Sequence, residues 1–352
     1  MRLLVTGGSG FLGRFVLAEA AVRGHHCVAL VRSPAAEQAV TERGAEPLAG
    51  DLEDAAGLAQ AFARAKCDAL VNLASLGFGH APAIVTAATA AGLDRAVFVS
   101  TAAVATALPA PTKAVRLAAE ELIRSSALGW TILRPTMIYG APGDRNLSRL
   151  LRFAARARRL PGAGIGLPLP IPGGGRRLQQ PVHVADLAAA VLTAVERPQT
   201  AGRYYYVPGP EPLTFARLLT EAAAAVGLRV RLVPVPLAPV VALTRGYERV
   251  SRRPRIKAEQ WQRLAEDKAF LVAPAARDLD YSPRSFADGI GVEAAALGFA
   301  PAVGVAPAVG VAPAFGFGPA PDAPAPVVSV SVAPGHRHPH PETSCLPSPR
   351  AR

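Results

Sequence analysis

The sequence predicts an α/β protein built on a doubly wound parallel sheet, with a small C-terminal α+β lobe and a disordered tail. Three observations predict it. The chain opens on a short apolar run, Arg2 to Thr6, followed at once by the glycine-rich turn Gly7-Gly-Ser-Gly-Phe-Leu-Gly13 and a helical pattern through Phe15, Val16, Ala20 and Val22. Apolar runs of strand length then alternate with helix-length patterns as far as Arg134. Such alternation makes parallel strands joined by crossover helices, and right-handed crossovers cover both faces of the sheet. From about Ala300 the composition changes. Ala-Pro-Ala-Val-Gly-Val occurs at 300–305 and again at 306–311, Ala-Pro-Ala-Phe-Gly-Phe follows at 312–317, and a proline-rich end completes the chain. This composition forms neither helix nor packed core.

In order, strands are expected at Leu3–Thr6, Cys27–Val31, Glu46–Ala49, Ala69–Leu73, Ala96–Ser100 and Trp130–Arg134. The intervening helices are expected at 11–23, 35–43, 57–65, 82–91 and 113–126. After Gly140 the pattern loosens, and the glycine- and proline-rich stretch 161–175 reads as a loop. Pro181–Val184 and Arg203–Val207 read as strands, and 186–196, 214–226, 254–266 and 283–296 as helices, with Thr214 suited to an N-cap. The division that follows is 1–140 for the doubly wound core, 141–180 and 208–299 for a second lobe, 181–207 for a return to the core, and 300–352 for the tail.

The opening strand, glycine turn and helix form a site for a dinucleotide pyrophosphate. Gly7 and Gly10 let the backbone turn tightly and approach the phosphates, and Gly13 lets the helix pack close to the strand. The helix start adds free N–H groups and about half a positive charge.

Composition narrows the remaining classes. The chain of 352 residues carries a net charge of +12 and is 50% hydrophobic, enough for a large core. Cys27, Cys67 and Cys345 share no metal-ligand spacing and suit a reducing compartment without disulfides. No metal site is expected, and His336, His338 and His340 near the end lack companion ligands. No apolar run is long enough to cross a bilayer, and the first strand starts too early for a leader, so a cytoplasmic protein is expected. The positive charge is scattered and no nucleic-acid-binding motif accompanies it. It concentrates only at Arg145, Arg149, Arg152, Arg156, Arg158 and Arg159, between Leu147, Leu150, Leu151 and Phe153. The basic amphipathic helix expected over 147–159 is either a solvated face or a contact for a membrane surface or an acidic partner.

Several blocks together resemble a known family: Val5-Thr-Gly-Gly-Ser-Gly-Phe-Leu-Gly13, Gly50-Asp-Leu52, Val71-Asn-Leu-Ala-Ser75, Val97-Phe-Val-Ser-Thr101 and Leu133-Arg-Pro-Thr-Met-Ile-Tyr-Gly140. Pro181-Val-His-Val-Ala-Asp-Leu187, Tyr206-Val-Pro-Gly209 and Glu266-Asp-Lys-Ala-Phe270 extend the match, which covers about residues 1–298. The chain resembles the extended or atypical short-chain dehydrogenases/reductases, and within them the NAD-dependent epimerase/dehydratase family. The stretch Trp130–Gly140 is also similar to relatives of the 39-kDa accessory subunit of respiratory complex I.

The resemblance implies a nicotinamide dinucleotide. Gly7, Gly10 and Gly13 would hold its pyrophosphate, with Phe11 and Leu12 giving backbone amides. Asp51 and Leu52 match the family's adenine contacts, Leu73, Ala74 and Ser75 line the ribose, and Pro135 borders the cofactor. At the end of the second strand, where an acidic residue favours NAD, stands Arg32, followed by Ser33. A guanidinium there suits the 2′-phosphate of NADP, although stacking on adenine would admit NAD as well. The implied catalytic set is a Ser/Thr, a Tyr and a Lys four residues after the Tyr. Lys113 fits, but Pro109 stands at the Tyr position and Ala102 near the hydroxyl position, just after Ser100 and Thr101. Ser100, Thr101, Lys113 and Tyr139 are therefore the candidate catalytic residues, with Thr136 and His183 as lesser candidates. Gln179 replaces the arginine with which nucleotide-sugar epimerases grip a diphosphate, and Arg176 and Arg177 stand nearby. Two functions follow from the resemblance. One is an oxidoreductase or epimerase with a nonstandard centre, acting on a small molecule of unknown identity. The other is a noncatalytic NAD(P)H-binding sensor or assembly subunit with a protein partner.

Overall fold

The computed structural model describes residues 1–108, 111–144, 146–160, 166–251, 261 and 266–299. Pro109, Arg145, most of the helix expected over 254–266 and the tail from 300 lie outside the described residues.

The sequential strands β1 (Arg2–Thr6), β2 (His26–Val31), β3 (Glu46–Ala49), β4 (Ala69–Asn72), β5 (Arg95–Val99) and β6 (Gly129–Pro135) alternate with α1 (Gly13–Val22), α2 (Pro34–Thr41), α3 (Ala55–Ala65), α4 (Ala81–Ala90) and α5 (Pro111–Arg124). Beyond them run β7 (Ile138–Tyr139), α6 (Leu147–Ala157), β8 (Leu167–Pro172), β9 (Leu178–Gln179), β10 (Val182–His183), α7 (Val184–Glu196) and β11 (Arg203–Val207). The described chain ends with β12 (Leu213–Thr214), α8 (Phe215–Ala224), β13 (Val230–Val235), α9 (Leu237–Val250), α10 (Ala273–Leu279) and α11 (Phe286–Ala296).

Seven strands form one parallel sheet in the order β3-β2-β1-β4-β5-β6-β11. Period-two alternation sends Leu3 and Val5 to one face and Leu4 to the other, and both faces are buried, so the strands read as continuous apolar runs. Val16, Leu17 and Ala20 of α1 and Leu187, Val191 and Val195 of α7 close the first core. Leu58 and Phe62 of α3, Ile84 of α4 and Ile123 of α5 close the second. The order reverses between β1 and β4, which opens a crevice at the carboxyl ends of those strands, where α/β sheets bind ligands.

A third core gathers Leu147 and Leu151 of α6, Leu218 and Ala222 of α8, and Phe286 and Ile290 of α11. Two expectations change here. Part of the expected loop 161–175 is β8, paired in parallel with β13 from Leu167↔Val230 to Pro172↔Val235. Its Leu-Pro-Leu-Pro-Ile-Pro run alternates correctly for a strand, and a two-stranded ribbon tolerates prolines that a central strand does not. The strand expected at 181–184 is cut to Val182–His183, because His183 caps α7: its Nδ1 accepts the Ala185 N–H at 3.2 Å. Among the described residues no helix is long and apolar enough to cross a membrane.

Candidate cofactor and active site

The glycine turn leaves β1 at the crevice. Gly7 has φ +70°, and a Cβ on it would sit 2.9 Å from the Ala74 amide at the end of β4. A Cβ on Gly13 would lie 2.3 Å from the carbonyl oxygens of both Gly7 and Gly8, so only glycine lets α1 start this close to the turn. Gly10 N–H donates to the Gly7 carbonyl at 3.0 Å, and Arg14 N–H to the Gly10 carbonyl at 3.2 Å. Among the described residues the Phe11 and Leu12 amides have no protein acceptor and stay free at the positive end of α1. The β1 and β4 ends are locked together by Thr6 Oγ1 donating to Asn72 Oδ1 at 2.6 Å and by Leu73 N–H donating to the Thr6 carbonyl at 3.0 Å. Asn72 Nδ2 in turn holds the Ala74 carbonyl at 3.1 Å. The result is a rigid, Cβ-free hollow with open donors, which suits a pyrophosphate.

Around it stand the other expected cofactor contacts. Arg32 is exposed at the end of β2 and has no side-chain partner among the described residues. Ser33 caps α2, its Oγ accepting Ala36 N–H at 3.3 Å. Asp51 braces its own loop, accepting Glu53 N–H at 3.1 Å, and Leu52 packs against the second core. Ser75 accepts Gly77 N–H at 3.3 Å and an Arg116 Nη2 bond at 3.4 Å. Pro135 is buried at the end of β6.

The candidate catalytic residues differ in what their protons already do. Ser100 Oγ donates to Glu120 Oε1 at 2.6 Å, so its proton is committed to a fully buried carboxylate. Thr101 Oγ1 accepts the Ala103 N–H at 3.2 Å as the cap of a short 3₁₀ turn that buries Ala102, which leaves its own proton available. Lys113, on the first turn of α5, donates through Nζ to the Thr106 carbonyl. Tyr139 is 1% exposed, edge-on to His183 with ring centroids 5.4 Å apart and against Phe286 at 5.2 Å. A Cβ on Gly289 would come within 2.1 Å of its hydroxyl. Burial raises the phenol pKa well above its ordinary value. The structure thus sets Tyr139 in the third core, away from solvent. Thr136 donates to the Gln180 carbonyl. His183 is also buried, and burial together with the Arg284 charge lowers its imidazole to about 4. Gln179 is 5% exposed and among the described residues its Nε2 has no partner, while Arg177 pairs with Asp267 at 3.1 Å and Arg176 is exposed.

Two groups at the site, Arg14 and Glu120, are not among the residues that the motifs single out, and a third, Glu266, stands in a matched block without a role assigned to it. Arg14, one residue past the glycine turn, lies over the Phe11 and Phe15 rings at 5.1 Å and donates to the Pro142 carbonyl at 2.6 Å. Glu120 receives both Ser100 and Arg134, whose Nε is 3.2 Å away, and Arg134 stacks over Tyr204 at 4.1 Å. Glu266 accepts Thr106 Oγ1 and the Ala107 N–H, the latter at 2.9 Å, and so grips the loop that holds Lys113. A carboxylate on the inner face of α5, beside Ala119 and Ile123, was the one signal in the sequence for such a network.

The Rossmann sheet, the glycine hollow at its switch point and the open amides define a nicotinamide-dinucleotide-binding protein. The chain belongs to the NAD-dependent epimerase/dehydratase family of extended short-chain dehydrogenases/reductases. Residues 7–152 match the NAD(P)H-binding family. The chain is 31% identical over 268 residues to the 4-hydroxy-2-methyl-3-oxo-4-farnesyl-3,4-dihydroquinoline-1-oxide ketoreductase of Stigmatella aurantiaca, covering 67% of this chain and 76% of that one. It is 28% identical over 336 residues to the 2-alkyl-3-oxoalkanoate reductase of Stenotrophomonas maltophilia, covering 81% and 95%. Its fold matches the Thermus thermophilus UDP-glucose 4-epimerase, solved in complex with NAD, at TM-score 0.63 and 20% identity over 84% of this chain and 98% of that one.

Proposed function

We propose that this protein is an NADPH-preferring reductase of a ketone beside an apolar chain, working with an active site that lacks the family tyrosine. The observation that carries the cofactor half is the open glycine hollow together with the unpartnered Arg32 at the end of β2. In this reading Gly7, Gly10, Phe11, Leu12 and Gly13 hold the pyrophosphate, Arg32 the 2′-phosphate, and Asp51 and Leu52 the adenine. Leu73, Ala74 and Ser75 line the adenosine ribose, Lys113 reaches the nicotinamide ribose, and Pro135 flanks the ring. When bound, the nicotinamide supplies the reducing equivalents. The chain supplies orientation and a proton donor to the substrate oxygen. Thr101 is the better donor of the two hydroxyls, since Ser100 is spent on Glu120. The ketone half is supported by the two sequence relatives, both reductases of 3-oxo compounds by name. With Gln179 in place of the arginine, a nucleotide-sugar substrate has less support.

Fluorescence titration with NADPH and NADH, followed by turnover with 2-alkyl-3-oxoalkanoates, tests the reading. NADPH binding with turnover that Thr101→Val reduces is the expected result. A second reading, a noncatalytic NAD(P)H-binding sensor or assembly subunit, is favoured by Pro109 and by the committed Ser100 proton. Binding without turnover on any 3-oxo substrate overturns the first reading in favour of the second.

A further inference from the structure

One side of α6 carries chemistry that the cofactor site does not use. Leu147, Leu151 and Ala154 face inward and pack in the third core. On the outside, Arg149, Arg152, Arg156 and Arg159 fall three or four residues apart, so they share one face of the helix. Backbone bonds from Arg159 N–H to the Arg156 carbonyl at 3.1 Å, and from Leu160 N–H to the Ala157 carbonyl at 3.0 Å, carry the face one turn past the helix end. All four arginines are exposed, and among the described residues none has a side-chain partner. Within the same face stand Phe153 and Leu160, 55% and 53% exposed. A merely solvated basic face needs neither an unscreened row of guanidinium groups nor a phenyl ring held in water among them.

We propose that this face docks the small lobe on an anionic lipid surface. The row of cations matches lipid phosphates, each guanidinium able to fork onto phosphate oxygens. Phe153 and Leu160 give the apolar points that sink between headgroups, as on basic helices that lie at a membrane interface. The inner face of α6 stays packed in the protein, so the contact is peripheral, and its affinity falls steeply with salt.

The full-length protein is sedimented with vesicles of pure phosphatidylcholine and of phosphatidylcholine containing phosphatidylglycerol. Binding is expected only to the anionic vesicles, to be lost at high salt, and to fall by about a hundredfold in the Arg149→Gln/Arg152→Gln/Arg156→Gln variant, at about fivefold per arginine. Because other basic surfaces contribute to sedimentation, a Phe153→Trp variant reports on α6 itself. Its emission shifts to the blue and is quenched by brominated lipid if the face docks as described. Equal binding by the triple variant, an unmoved Phe153→Trp emission on bound vesicles, or binding to an acidic peptide or heparin but not to vesicles each overturns the proposal. An unchanged thermal midpoint and NADPH titration in the variants show that the fold is intact.

Discussion

Arg32 and Glu293 show how far one side chain is set by its surroundings. Arg32 projects from the end of β2 with no partner among the described residues, so its charge is available to a ligand. Charge-assisted hydrogen bonds contribute about 1.5–3 kcal/mol. Arg32→Asp should therefore raise the NADPH-to-NADH ratio of dissociation constants by about tenfold to a hundredfold, read by fluorescence titration. A constant ratio sinks the 2′-phosphate assignment. Glu293 is fully buried in α11, where Gly140 N–H donates to it at 3.0 Å and Ser148 Oγ also donates. Burial, reinforced by the neighbouring Asp144, pushes its carboxyl up to about 8. The folded state thus prefers the protonated acid. This stabilisation is complete below the ordinary carboxylate range near 4.5 and fades as pH rises through about 8. Urea midpoints should fall from pH 6 to pH 9 in the wild type and much less in Glu293→Gln. Parallel pH profiles for the two proteins would refute this account.

At the scale of elements, α5 is joined to the sheet by charge as well as by packing. Glu120 is 0% exposed and Arg134 on β6 is 8% exposed, with Tyr204 and Tyr206 covering the guanidinium and Tyr206 OH 3.3 Å from Nη1. A buried pair gives little net stability, but removing one partner strands the other. Glu120→Ala should cost about 3–5 kcal/mol in chemical denaturation. Glu120→Met combined with Arg134→Leu should recover most of that loss, and a double variant as unstable as the single one would show that the pair itself holds α5. A second clamp joins α7 to the segment before α11. Asp186 receives Arg284 Nη2 at 2.8 Å and Nε at 3.0 Å, along with the Arg284 N–H at 3.0 Å.

At the scale of the whole molecule, the described residues build three cores, the last of them completed by α11, which ends at Ala296. A chain truncated after Phe299 should keep its thermal midpoint within about 2 °C, since about 1 kcal/mol moves a large domain by about that much. A drop of many degrees would show that residues 300–352 contribute to folding. Much of this molecule was legible in the sequence because its signals are local. The alternation of apolar runs dictates the parallel sheet, and the spacing of Gly7, Gly10 and Gly13 dictates the hollow, since a Cβ at Gly7 or Gly13 would collide with the backbone and one at Gly10 would crowd the Gly7 carbonyl at 3.1 Å. Thr214 as a cap, accepting Arg217 N–H at 3.1 Å, was likewise readable from residue type and position. What only the tertiary structure decided are relations between distant segments. It made β8 a strand by supplying β13 as partner, buried Tyr139 under Gly289 in the third core, and committed the Ser100 proton to Glu120. The physical reason is that propensity and glycine stereochemistry act within a few residues of chain, whereas burial, hydrogen-bond partners and proton affinity depend on which remote groups the fold brings alongside.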